Sequence, residues 1–206
     1  LADKVILESK MTITYEEDES INYVVIKEID SPHKKGFIDL YKDAFGGAPY
    51  FETYEDSWVE EFVWNKHIQS GCLILAISRD KVVGLGAGLP VNLDDKIYNF
   101  LSKQHALPFQ LERTLYMSEL AVDTLFRKSD LHVGSELVKK RIQWASKNGF
   151  VFYVMRTAAE NSNSKNIYIN TIGAKELTGV IQNVSENPDE VASASSQRIY
   201  LYGEVK

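Results

Sequence analysis

An α+β fold in one domain, a mostly antiparallel sheet with helices on both sides, is predicted by three observations. Apolar runs come in hairpin-like pairs at 72–78 with 81–89 and at 174–183 with 197–205. A buried-type strand at 115–122 runs through a turn into an amphipathic helix that closes at Lys147 and Gly149. The 206 residues, 44% of them hydrophobic, suffice for one full core.

In chain order, residues 4–15 and 22–29 carry β-branched and aromatic residues around an acidic turn and are expected to be strands. Ser31 and Pro32 predict a helix start, and Phe37, Leu40, Tyr41, Ala44 and Phe45 keep helical spacing until Gly46 and Gly47. A second helix is expected over 57–69 with Trp58, Phe62 and Val63 inward, followed by the hairpin about Arg79 and Asp80. Glycines 84, 86 and 88 do not have the spacing of a dinucleotide fingerprint. Close approach of a ligand or a neighbouring element to a small-residue strand explains them better.

Residues 92–112 form an insertion with a short helix near 97–105. In the helix after the central strand, Leu137, Val138, Ile142 and Ala145 make the apolar face, while Lys139, Lys140, Arg141 and Gln143 take the other positions. Its first N–H groups, near Val133, Gly134 and Ser135, would face the end of the strand and suit an anion such as phosphate. A strand at 150–156, a helix at 164–171 ended by Gly173 and the last strand pair complete the chain. The polar segment 185–196 is expected to be a mobile loop.

A net charge of -6 and a pI near 5.3 argue against a nucleic-acid or anionic-membrane surface and favour a cationic substrate. The single cysteine, Cys72, lies in an apolar run and reads as a buried hydrophobe in a reducing, cytoplasmic compartment. No run is long enough to span a membrane, and Leu1 to Lys10 lack a signal-peptide shape. His33, His67, His105 and His132 show no ligand spacing, so no metal site is expected.

The element order and several segments resemble the GNAT superfamily of acetyl-CoA-dependent N-acetyltransferases over roughly residues 22–205. The likeness rests on residues 44–52, the hairpin 72–88, Glu119 to Val122, Phe126 and Arg127, and Arg156 and Thr157 with the asparagines that follow. The family's phosphate-binding turn is altered here: of its three defining residues an ungapped reading retains only Gly134, whereas a reading that takes Arg127 as the family's arginine needs about two extra residues in 129–132.

The resemblance implies a sheet splayed at its central strands, about four helices and acetyl-CoA as co-substrate. A primary amine of a small molecule or peptide would attack the thioester directly. Leu120, Ala121 and Val122 would hold the pantetheine arm. Arg127, Lys128, Val133, Gly134 and Ser135 would hold the phosphates, with Asn161 and Asn163 as further contacts or as helix caps. Glu119 is the expected base, and Glu52 a second carboxylate for the amine. Tyr50 and Phe51 are expected in the acceptor wall, and a homodimer is allowed. The family's tyrosine acid falls on Ile169 by its distance from Gly173, with Tyr168 one residue earlier, so Tyr168 as donor depends on where the helix ends. A non-catalytic acyl-CoA-binding domain on the same fold is the alternative.

Overall fold

The computed structural model describes residues 20–47, 50–127, 130–183 and 197–206. The strand expected at 4–15, Lys128, Ser129 and the loop at 185–196 lie outside these. Among the described residues seven strands form one sheet in the order β1-β2-β3-β4-β5-β7-β6. They are β1 (Asn22–Val25), β2 (Cys72–Ser78), β3 (Lys81–Pro90), β4 (Thr114–Val122), β5 (Phe152–Ala158), β6 (Lys175–Asn183) and β7 (Gln197–Glu204). Every pairing is antiparallel except β4 with β5.

That parallel contact is short. It joins Thr114–Tyr116 to Phe152–Val154, although β4 continues to Val122 and β5 to Ala158, so the two strands part beyond Tyr116. On its other side β4 pairs with β3 through a bulge: Ala87 faces Glu119 and Leu89 faces Tyr116, leaving Met117 and Ser118 opposite Gly88 alone.

Alternation along β2 assigns the faces. Leu73, Leu75 and Ile77 pack with Phe37, Leu40 and Tyr41 of α1 (Lys34–Gly46), while Ile74 and Ala76 pack with Val133 and Leu137 of α5 (Val133–Lys147). Helices thus cover both sides, as expected. The α5 C-terminus closes as the sequence suggests, with Asn148 at the cap and Gly149 at φ +80.

Three local readings need correction. Helix α1 begins after His33 rather than at Pro32; Ser31 caps a preceding turn, its Oγ accepting from His33 N–H at 3.4 Å. The next helix runs through α2 (Asp56–Val59), a π-helical segment Glu60–Asn65 and α3 (Lys66–Ser70). Its wider turns change the phase, so Val59, Val63, Trp64 and His67 face inward, whereas Trp58 and Phe62 are 40% and 48% exposed. Arg141, read as a solvent-side residue, is fully buried, because it falls four residues from both Leu137 and Ala145 on the apolar face of α5.

The small residues of β3 explain that burial. A Cβ at Gly84 would stand 2.9 Å from Val133 Cγ1, and one at Gly86 would stand 3.0 Å from Arg141 Nε. These glycines admit α5 and its arginine, not a nucleotide. Helix α4 (Asp95–Leu101) occupies the 92–112 insertion, capped by the Asp94 side chain on Ile97 N–H, and α6 (Ser162–Ile172) lies between β5 and β6.

Candidate active site

A cavity of about 220 Å³ opens where β4 and β5 diverge. Tyr116, Ser118 and Glu119 of β4 line one side, and Arg156, Thr157 and Ala158 of β5 the other. The bulge brings consecutive residues Ser118 and Glu119 to the same cavity, which plain alternation would forbid. An aromatic wall from α1 and the following segment completes it. Tyr41 and Phe45 lie 4.6 Å apart, Phe45 and Tyr50 5.3 Å, and Tyr54 stacks on Trp58 at 4.6 Å.

Glu119 is the most perturbed carboxyl of the site. Burial pushes its pKa up from 4.5 to about 8, opposed by the Arg156 and Arg141 charges and reinforced by Glu52 and Asp94. Arg156 is held by Gln182, which accepts from it at 3.0 Å and from the Tyr200 hydroxyl at 2.7 Å. Glu52 accepts a hydrogen bond from Tyr54. Thr157 Oγ1 is buried on the cavity wall without a hydrogen-bond partner among the described residues, a group that a polar ligand would satisfy.

Beneath the cavity, Arg141 gives Nη1 to the carbonyls of Ala87 (3.1 Å) and Glu119 (2.9 Å), Nε to Leu137 O (3.3 Å) and Nη2 to the Tyr168 hydroxyl (2.7 Å). Gly173, at φ +67, ends α6 after Ile172, and the resulting phase turns Tyr168 inward at 1% exposure. The ambiguity between positions 168 and 169 is thereby settled for orientation: Tyr168 faces Arg141 in the core and is not among the residues lining the cavity.

The remaining candidates divide. Tyr50 and Glu52 line the cavity, but Phe51, at φ 52 and 62% exposed, points out of it. Asn161 caps α6, accepting from Ser164 N–H at 3.1 Å, and donates to the Tyr50 hydroxyl at 3.1 Å. Asn163 is exposed on α6. Asp123 N–H bonds Val83 O at 2.9 Å, so by alternation Ala121 turns its backbone groups to β3, while those of Leu120 and Val122 face the cleft. The Val122 carbonyl already accepts from Arg127 Nε at 2.8 Å, which leaves Leu120 as the open position of the expected trio.

At the start of α5 the first helical bond runs from Glu136 N–H to His132 O at 3.1 Å, and His132 itself is left-handed at φ 47. The N–H groups of Val133, Gly134 and Ser135 precede that bond and lack helical acceptors, a donor set that fits a phosphate. The Ser135 hydroxyl is engaged with Thr171 at 3.1 Å. Lys128 belongs to the undescribed part of this turn.

Sequence reading missed Arg141 and the pair His67–Ser118. His67 is 3% exposed, with Nδ1 2.6 Å from Val63 O and Nε2 2.7 Å from Ser118 Oγ. The four-residue step from Leu137 could have revealed Arg141, but nothing in the sequence links positions 67 and 118.

The chain matches the Acetyltransferase (GNAT) family over residues 34–173, about two thirds of its length, and it belongs to that family. No curated protein sequence matches it. Among solved structures it is similar to the ribosomal-protein-alanine N-acetyltransferase of Brucella melitensis, at 12% identity and TM-score 0.62, with 88% of this chain and 99% of that one covered. It is similar to yncA of Salmonella typhimurium, solved with acetyl-CoA, at 10% identity and TM-score 0.62, covering 90% and 95%. Ard1 of Thermoplasma volcanium aligns at 14% identity and TM-score 0.58, covering 89% and 98%. At these identities the structural likeness extends to the fold.

Proposed function

We propose that the protein is an N-acetyltransferase that moves the acetyl group of acetyl-CoA to a primary amine by direct attack. The observation that carries this reading is Glu119, a carboxyl pushed up to about 8 at the divergence of β4 and β5. A group with that pKa can take a proton from an ammonium near neutral pH. Glu52 adds a second carboxylate to the same cavity, and the aromatic wall suits an amine with a flat or apolar body.

Acetyl-CoA supplies the activated acyl thioester. The first N–H groups of α5 and Arg127 at its approach would receive the phosphates, and the Leu120 backbone would receive the pantetheine arm. Glu119 takes the proton of the incoming ammonium; Tyr168, buried beneath the cavity instead of lining it, serves as donor for the departing thiolate only where the cofactor arm opens a path to its hydroxyl.

A non-catalytic acyl-CoA-binding role is the second reading, favoured by one observation: Arg127 occupies the Val122 carbonyl that an incoming pantetheine amide would use. Thermal melts with and without acetyl-CoA, then thiol release with a panel of amines, separate the two. Ligand at a hundred times its Kd adds about 2.7 kcal/mol. A melt that acetyl-CoA leaves unmoved rejects both readings, while a shift without thiol release favours the second.

A further inference from the structure

The His67–Ser118 pair sits 51 residues apart in sequence and meets at the bulge beside Glu119. Its proton arrangement follows from the partners. Val63 O can only accept, so the 2.6 Å contact places the ring hydrogen on Nδ1. In the neutral ring Nε2 is then an acceptor, and the 2.7 Å contact requires Ser118 to donate its hydroxyl hydrogen to it. Burial favours the neutral ring, lowering the His67 pKa to about 4. Ser118 lines the cavity with its only hydrogen spent, so it offers the cavity lone pairs alone.

A nucleophilic serine is the other role such a pair could suggest. It needs a histidine able to take the hydroxyl proton, and a ring held neutral down to about pH 4 is too weak a base for that. Ser118 is therefore an acceptor toward the cavity, one residue from a carboxyl that also accepts. A primary amine retains two N–H groups after giving up one proton, enough for Glu119 and Ser118 together with its lone pair on the acyl carbon. An N-methyl amine retains one, and its methyl group would cover the half-buried Ser118 oxygen without pairing it.

We propose that Ser118, locked as a hydrogen-bond acceptor by His67, sets the selectivity of this site for primary over N-alkylated amines. This rests on the acetyltransfer reading above. His67 is a positioning residue, acting on the substrate through Ser118.

The test combines two measurements on the full chain. Ring ¹⁵N shifts of His67 report the tautomer without any substrate; hydrogen on Nδ1 and a hydrogen-bonded Nε2 are expected, the latter signal moving in Ser118→Ala, and hydrogen on Nε2 overturns the inference. Thiol release from acetyl-CoA is then compared for benzylamine, phenethylamine and cadaverine, each beside its N-methyl counterpart. In the wild type the primary amine is preferred in kcat/KM by about ten- to hundredfold, the range expected when a buried acceptor is left unpaired. Ser118→Ala brings that ratio toward one, and Ser118→Thr, which keeps a hydroxyl, restores much of it. His67→Gln, verified as folded by its thermal melt, lowers the ratio without abolishing turnover. A ratio unchanged in Ser118→Ala overturns the assignment. Absence of thiol release with every primary amine overturns the reaction and the selectivity together, and the tautomer result tells that outcome apart.

Discussion

The guanidinium of Arg141 donates to the Tyr168 hydroxyl at 2.7 Å from within the central bulge of the sheet. A hydroxyl that accepts from a cation keeps its own hydrogen for another acceptor and becomes a better donor. Burial pushes the Tyr168 pKa up, and the Arg141 charge opposes that rise. If Tyr168 is the proton donor, Tyr168→Phe lowers kcat by about 10²–10⁴-fold with the KM for acetyl-CoA little changed. The same change leaves an Arg141 N–H unpaired and costs about 1–3 kcal/mol in a thermal melt. A kcat within twofold of wild type would assign the acid elsewhere.

Glu119 makes two pH predictions. As a base it must be ionised, so kcat/KM rises with pH and levels off above about 8; Glu119→Gln removes that limb and most of the rate. For stability, the folded protein holds a proton on Glu119 up to about pH 8, whereas the unfolded chain releases it near 4.5. Between those values the contribution of this group to stability falls as pH rises. Glu119→Gln is therefore expected to melt with the wild type near pH 4 and above it at pH 8.5, by a few kcal/mol.

His67 acts in the opposite direction. Its ring is neutral in the folded protein down to about pH 4 but takes a proton near 6.5 once unfolded, so stability is lost as pH falls from 6.5 to 4. Denaturant unfolding of His67→Gln should show a flatter dependence in that window. A slope equal to wild type would mean that other groups dominate the acid limb.

Gly86→Ala tests the approach of α5 to the sheet. The added methyl would sit 3.0 Å from Arg141 Nε and 3.3 Å from its Cδ, so the arginine must shift from a site with four hydrogen bonds. A loss of about 1–3 kcal/mol is expected, together with reduced turnover, because the Tyr168 contact moves with it. Gly179→Ala, where φ is +81 but no atom of the described residues lies within 4 Å of the new Cβ, serves as a comparison in which backbone strain acts without that clash.

Glu52 should matter to the amine and not to the acyl donor. Glu52→Gln keeps a partner for the Tyr54 hydroxyl and removes one negative charge from the cavity. The KM for a cationic acceptor rises about tenfold while that for acetyl-CoA stays within twofold, measured by varying each substrate in turn.

The hairpins and the strand–turn–helix unit were legible because their signals are local: period-two runs, turn residues and a capped apolar stripe. Glu119 stood out as the one carboxyl in an apolar strand, and of the two readings of the β3 glycines, room for a ligand or for a neighbouring element, the structure shows the element, α5. What escaped required knowledge of register. The bulge opposite Gly88 has no sequence signature, yet it brings Ser118 and Glu119 to one cavity. The π-helical turns at 60–65 put Trp64 inward and Phe62 outward in a pattern that reads as an ordinary helix, while Trp58, before them, stands in the cavity wall instead of the core. Arg141 was misjudged because charge was weighed above spacing. Phe51 fits an acceptor wall by its aromatic ring and Asn163 a pantetheine contact or helix cap by its amide, but residue type does not fix direction, and both are exposed.

The guanidinium stands at the point where the register between β3 and β4 shifts. Two carbonyls, one from each strand, accept there from a single side chain of a helix packed on the sheet. The irregularity is thus held in place by a cation, and the cation is held in place by the irregularity. Neither can be lost alone: a substitution that straightened β4 would strand a buried charge, and one that removed Arg141 would leave the bent backbone without its donors. That mutual dependence ties the irregularity of the central strand, and the placement of Glu119 that follows from it, to one buried side chain on a different element.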